Sequence, residues 1–220
     1  MKNLLSFIVL CSSVQAEIVT VNYRGIVTEA TGLPFGIAAV PGVTPVTGVL
    51  KYDTAAEQFR PDSSTNSSRY VANIASGFDL KIGGVTISSS DYSLSATNNV
   101  ANFGGSDLLQ AVADNDGLEG TNLGDDFRIN GVPWEGNAQL LLADTDRTLF
   151  PTDADVDVLP HPSLLGQIDF VWGFIGDDLG TGGEIANNLI FMGSIVPEPG
   201  ALLLMAQALL LLGARRITKQ

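Results

Sequence analysis

The chain carries a single cysteine, Cys11, and a single histidine, His161. No zinc cluster, disulfide framework or Cys/His dyad can be assembled from so few ligands. Basic residues are scarce as well: 11 Lys and Arg stand against 24 Asp and Glu, a formal charge of −13. That excess of acid excludes nucleic acid as an electrostatic partner. Charged residues of both signs make up 16% of the chain and apolar residues 45%, against roughly 25% charged in an average soluble domain. There is apolar material for a core, and a wholly disordered chain is excluded.

What is present is most distinctive at the two ends. Lys2 precedes the apolar run Leu4-Leu5-Ser6-Phe7-Ile8-Val9-Leu10-Cys11, and small residues follow at Val14 and Ala16. A basic start, an apolar stretch and a small-residue site form a secretory signal peptide over residues 1–16, removed by signal peptidase after Ala16. Attachment of a lipid to Cys11 needs a small residue before it, and Leu10 is bulky. Cleavage removes the thiol, so the mature chain enters an oxidising compartment held by packing or by ions.

The far end reads Val196-Pro197-Glu198-Pro199-Gly200, then an apolar run to Ala214, then Arg215, Arg216 and Lys219. The 15 residues from Gly200 to Ala214 span roughly 22 Å as a helix, short of a hydrocarbon core of roughly 30 Å. The basic trio extends the usable length by snorkelling and holds the extreme C-terminus in the cytoplasm, with the body outside. Pro197 and Pro199 lack backbone donors and favour an extended segment just before the span.

In the order Pro-Glu-Pro, apolar helix and basic cluster, residues 197–220 resemble the C-terminal sorting signal called PEP-CTERM. The resemblance is confined to that segment. It implies that an exosortase, a membrane-embedded transpeptidase, recognises Pro197, Glu198 and Pro199, cleaves near them and passes the body to the cell surface. It further implies an association with exopolysaccharide on a Gram-negative bacterium.

The body, residues 17–196, keeps seven basic and 23 acidic residues, a net charge of −16. Its apolar residues alternate in Val19, Val21 and Tyr23, in Phe78, Leu80 and Ile82, in Val85 and Ile87, in Tyr92, Leu94 and Ala96, and in Ile168, Phe170, Trp172 and Phe174. Period two predicts half-buried strands. Gly83-Gly84 between two such runs predicts a tight hairpin. Further strands are expected over Thr47 to Tyr52, Tyr70 to Ile74, Ala138 to Ala143 and Leu189 to Val196, with one short helix over Ser106 to Ala113. The expected fold is all-β, a jelly-roll or Greek-key β-sandwich, followed by a C-terminal transmembrane helix.

Few residues offer chemistry. His161 sits between Pro160 and Pro162 beside Ser163, but sequence neighbours do not make a triad, and no serine lies in a G-x-S-x-G turn. Asp153, Asp155 and Asp157 are weak calcium candidates, since the sixth and twelfth places counted from Asp153 hold Val158 and Leu164 where an EF-hand needs Gly and Glu. A solvated loop or wet strand face accounts for them more simply. Trp134, in Gly131-Val132-Pro133-Trp134-Glu135-Gly136, is expected in an exposed loop as a ligand-stacking residue, whereas Trp172 is expected in the core. Tyr23, Tyr52, Tyr70 and Tyr92 are further candidates for a stacking platform. The expectation is a non-enzymatic structural surface or matrix protein, with a carbohydrate-binding module, calcium-assisted or not, as the alternative.

Overall fold

The computed structural model describes residues 17–56, 58–59, 66–114, 127–134, 136–178 and 185–196. The expected signal peptide, 1–16, and the sorting segment with its transmembrane helix, 197–220, lie outside the described residues. Among those described, no helix is long and apolar enough to cross a membrane.

The described residues form eleven strands: β1 (Ile18–Thr31), β2 (Pro45–Asp53), β3 (Gln58–Phe59), β4 (Ser67–Ile82), β5 (Val85–Val100), β6 (Ser106–Asp114), β7 (Arg128–Ile129), β8 (Val132–Pro133), β9 (Asn137–Asp144), β10 (Phe170–Asp178) and β11 (Ile185–Ile195). Leaving aside the two-residue strands β3, β7 and β8, each strand pairs antiparallel with the next in chain order, and β11 returns to pair with β1. The all-β expectation therefore holds, and the sandwich gives way to a closed eight-stranded antiparallel barrel of up-and-down order. One buried face per strand is common to both architectures; what separates them is the register that joins the first strand to the last, Tyr23 opposite Ile195 through Thr31 opposite Asn188. Long strands assist closure. β4 and β5 have 16 residues each and their ladder is interrupted between Asn73 and Phe78, an irregularity that bends a sheet on itself and removes its edges.

The hairpin forms as expected. Ile82 pairs with Val85, and Gly83 and Gly84 take φ of +57° and +86°, the left-handed values that match a two-residue turn to strand twist. Residues 106–113 are a strand, not the expected helix. Leu109, Ala111 and Ala113 point into the barrel while Leu108 is buried on the outside, so apolar residues on both faces hide the period of two. The last alternating run is a strand from Phe170 onward, Ile168 instead ending the 3-10 turn before it, and its faces are reversed: Val171 and Ile175 are fully buried, and Phe170, Trp172 and Phe174 are half-buried on the outer surface.

Inside, aromatic rings lie over glycines. Tyr23 covers Gly48 and Phe191 covers Gly173, where a Cβ would fall 2.3 Å and 2.0 Å from ring atoms. The Tyr23 and Phe191 rings are themselves parallel, with centroids 6.3 Å apart. Among the described residues the interior is thus occupied by these rings and by the buried apolar side chains of all eight long strands.

Strand direction places both described ends at one pole, where Ile18 begins β1 and Ile195 ends β11, and the Val196 N–H donates to the Asn22 carbonyl at 2.8 Å. Residues 145–169 close this lower pole. Tyr52 and Tyr70 donate from within the barrel to the carbonyls of Pro160 and Val156, each at 2.6 Å, and burial pushes the Tyr52 hydroxyl pKa up, so it stays a donor. The upper pole is closed by residues 32–44 and by β7 and β8, which bury Ile37 and Phe127.

Candidate functional site

Each expected ligand-stacking residue has a definite place. Trp134 is 49% exposed at the upper pole, with its N–H bonded to the Phe127 carbonyl at 3.0 Å. Its ring meets Phe35 edge-on, centroids 6.3 Å apart at 86°. Phe35 holds φ of +53°, an uncommon and strained conformation for a bulky residue, and its ring also packs on Phe127 at 5.6 Å. The exposed-loop expectation for Trp134 holds. The four tyrosines do not join it: Tyr23, Tyr52, Tyr70 and Tyr92 are all at most 3% exposed. Their hydroxyls donate to carbonyls of Asp79, Pro160, Val156 and Lys51 respectively, because a phenol inside a barrel needs an acceptor. They hold the core together and reach no external ligand.

The carboxylates of the 153–157 segment are each engaged separately. Asp153 accepts from the Asn98 amide at 2.9 Å. Asp155 accepts from the Thr152 N–H and hydroxyl, both at 2.7 Å. Asp157 accepts from Gln58 and Ser68 at 3.0 and 2.8 Å. The Asp155 bonds are local and shape a 3-10 turn over Asp155–Asp157, and the Asp153 and Asp157 bonds fasten that turn to β3, β4 and β5. Among the described residues no group of three or more acidic, His or Cys side chains gathers to hold a metal.

His161 is exposed and caps the turn Pro162–Gln167, accepting the Ser163 N–H at Nδ1, 3.3 Å. The Ser163 hydroxyl lies 3.0 Å from the same nitrogen, and Glu17 Oε2 lies 3.3 Å from Nε2. Serine, histidine and glutamate thus stand in a row, but the backbone N–H competes with the hydroxyl for Nδ1 and all three groups face solvent. This is capping geometry.

A pair of carboxylates that spacing could not reveal sits deeper. Asp107 and Asp144 face each other across β6 and β9, both with no exposed surface. Asp144 Oδ2 accepts from the Thr148 N–H at 2.7 Å, the Thr148 hydroxyl at 3.0 Å and the Leu149 N–H at 2.6 Å. Its Oδ1 accepts from the Asp146 N–H at 3.0 Å. Asp107 accepts from Phe150 at 2.8 Å and Asn99 at 3.3 Å. Its pKa is raised: burial dominates, with the facing Asp144 adding to the rise, while these hydrogen bonds and Arg147 oppose it. With their lone pairs directed at backbone donors, the two carboxylates hold residues 146–150 against the lower pole and present no oxygen to a substrate.

Pro197, Glu198 and Pro199, with Arg215, Arg216 and Lys219, lie outside the described residues. The chain enters that segment from Val196, at the wall of a shallow groove of about 510 Å³ lined by Ile18, Val21, Pro162, Leu165, Ile168 and Val196 among others. Comparison with protein-family models, with curated proteins and with solved structures finds no match to the chain.

Proposed function

We propose that the chain is an exported structural protein of the cell surface or extracellular matrix, sorted by an exosortase and associated with exopolysaccharide. The observation that carries this reading is the common exit of both described ends at one pole, Ile18 beginning β1 where Ile195 ends β11 and Val196 bonds to Asn22. A segment that is recognised at the membrane then leaves from the membrane-facing pole, and the barrel stands beyond it with its outer wall and upper pole free. A filled interior and carboxylates committed to backbone donors agree with a structural rather than a catalytic body.

Replacing Pro197, Glu198 and Pro199 by alanine tests the reading in a host that carries the processing enzyme. The variant should still be exported and folded but should accumulate as an uncleaved membrane precursor, because alanines let a helix propagate from Gly200 into the recognition segment. Normal size reduction and surface release of the variant, followed on blots of membrane and surface fractions, would refute it. A second reading, a carbohydrate-binding module, is favoured by the half exposure of Trp134.

A further inference from the structure

The outer wall of the barrel carries a feature that the upper pole does not. Phe170, Trp172 and Phe174 follow one another on the outward side of β10, a file of three aromatic rings covering two same-face strand steps, or roughly 13 Å. Trp172 and Phe174 are within 13° of parallel with centroids 6.4 Å apart, close to the roughly 6.8 Å repeat of same-face residues, so the rings succeed each other along the strand. They also cover what lies beside them. Leu108, Leu141 and Ala143 are outward residues, yet at most 5% exposed, because Phe103, Phe170 and Trp172 pack over them.

The residues paired with these three rings carry no charge. Phe170 faces Ala143, Trp172 faces Leu141 and Met192, and Phe174 faces Gln139 and Ile190. Met192 is 47% exposed and its neighbour across β1, Ile26, is 44% exposed. The first charges met on this wall are Arg24 and Glu29 of β1, opposite Ser194 and Ile190, so on a body whose net charge is −16 the strip from β9 to β11 beside these rings is an uncharged one. The polar groups it does hold are neutral amides: Gln110 Nε2 donates to Gln139 Oε1 at 3.2 Å, and each amide retains a further donor or acceptor for a hydroxyl.

We infer that the outer face of β10, centred on Trp172 and Phe174, binds a neutral, ribbon-shaped polysaccharide whose sugar rings stack along the aromatic file. A linear file suits a linear polymer, ring faces suit the apolar faces of equatorially linked pyranoses, and an aromatic file whose strand partners are uncharged suits a chain without uronic acids. The inference rests on the exopolysaccharide association proposed above and names its chemistry and its site, which is distinct from Trp134.

Affinity electrophoresis of the full-length chain in detergent, in gels containing hydroxyethylcellulose, tests it, with carboxymethylcellulose as a probe of the same backbone bearing charge. The wild type should be retarded by the neutral polymer and much less by the anionic one. Trp172→Ala should weaken retardation at least about tenfold, some 1.4 kcal/mol, Trp172→Phe should restore most of it, and Trp134→Ala should change nothing. Thermal unfolding checks that each variant is folded. Absence of retardation of the folded wild type, unchanged binding by Trp172→Ala, or loss of binding in Trp134→Ala overturns the inference. So does a concentration-dependent dimer that dissolves in Trp172→Ala without any retardation, which would make the wall a contact between copies. Fractionating the same wild-type strain separates the two proposals, since failed sorting with intact retardation removes only the sorting reading, and the converse removes only the glycan site.

Discussion

Replacing Asp144 by alanine should be among the most damaging single changes outside the apolar core. The side chain has no exposed surface and accepts four hydrogen bonds, from the N–H groups of Asp146, Thr148 and Leu149 and the Thr148 hydroxyl. Hydrogen bonds to a charged acceptor contribute roughly 1.5–3 kcal/mol each, but four such contributions do not simply add. Residues 145–148 are exposed, so water replaces the carboxylate for Asp146 and Thr148; Leu149 is buried, and its N–H is left without a partner. Loss of like charge opposite Asp107 returns a little. The net expectation is about 3–4 kcal/mol, near the upper end of single substitutions. For a body of this size that corresponds to a fall in Tm of about 6–15 °C. Asp144→Asn keeps one carbonyl oxygen for the three donors at Oδ2 and turns an amide against the Asp146 N–H, so it should lose about 1–2 kcal/mol. Urea unfolding followed by tryptophan fluorescence and circular dichroism gives the ranking wild type, Asp144→Asn, Asp144→Ala. Hydrogen exchange should show the Leu149 and Phe150 amides released first in the alanine variant. If Asp144→Ala unfolds within about 1 kcal/mol of wild type, the assignment of the carboxylate as the holder of the lower pole is wrong.

Tyr52→Phe and Tyr70→Phe each remove one buried donor to the lower-pole segment, from Pro160 and Val156, and should each reduce stability by about 1 kcal/mol in chemical denaturation; because both bonds fasten the same segment, the double variant should depart from additivity. Gly173→Ala sets a methyl 2.0 Å from the Phe191 ring and should lower stability by roughly 1–3 kcal/mol or prevent folding, whereas Gly166→Ala, with open space around it, should leave the unfolding midpoint within error. The raised pKa of Asp107 gives a signed pH dependence. Between the ordinary value of 3.8 and the raised folded value the native state holds a proton that the unfolded chain has released, so this contribution to stability falls as pH rises through that window. The difference in unfolding free energy between wild type and Asp107→Asn, measured from pH 3 to pH 7, should move in favour of the variant with rising pH; a flat difference would contradict the burial argument.

The strands were legible because a half-buried strand alternates, and β1, the β4–β5 hairpin and β5 wrote that alternation plainly. β6 was not, since Leu108 and Leu109 are both buried on opposite faces and the outer one is covered by rings from β10 and from Phe103. The same cover explains Trp172: on an outer wall with its own small apolar cluster, alternation marks a strand but not which side faces the barrel axis. Closure is a relation between residues 18–31 and 185–195, and no local pattern states it. Trp134 was readable from its Gly- and Pro-rich surroundings. The Asp107–Asp144 pair was not, because its partners are backbone N–H groups that any sequence supplies.

The shared pole also determines how the molecule bears load. β1 and β11 are adjacent and antiparallel, and both meet the rest of the chain at the same end. Tension between the two termini would pull these strands apart like a zipper, one ladder bond at a time. On the proposed reading, tension between a C-terminal tether and a polymer held along β10 would run parallel to the strands, so the β10–β11 and β11–β1 ladders would be sheared together and their bonds would share the force. That shear is the direction in which the ladders of a barrel resist.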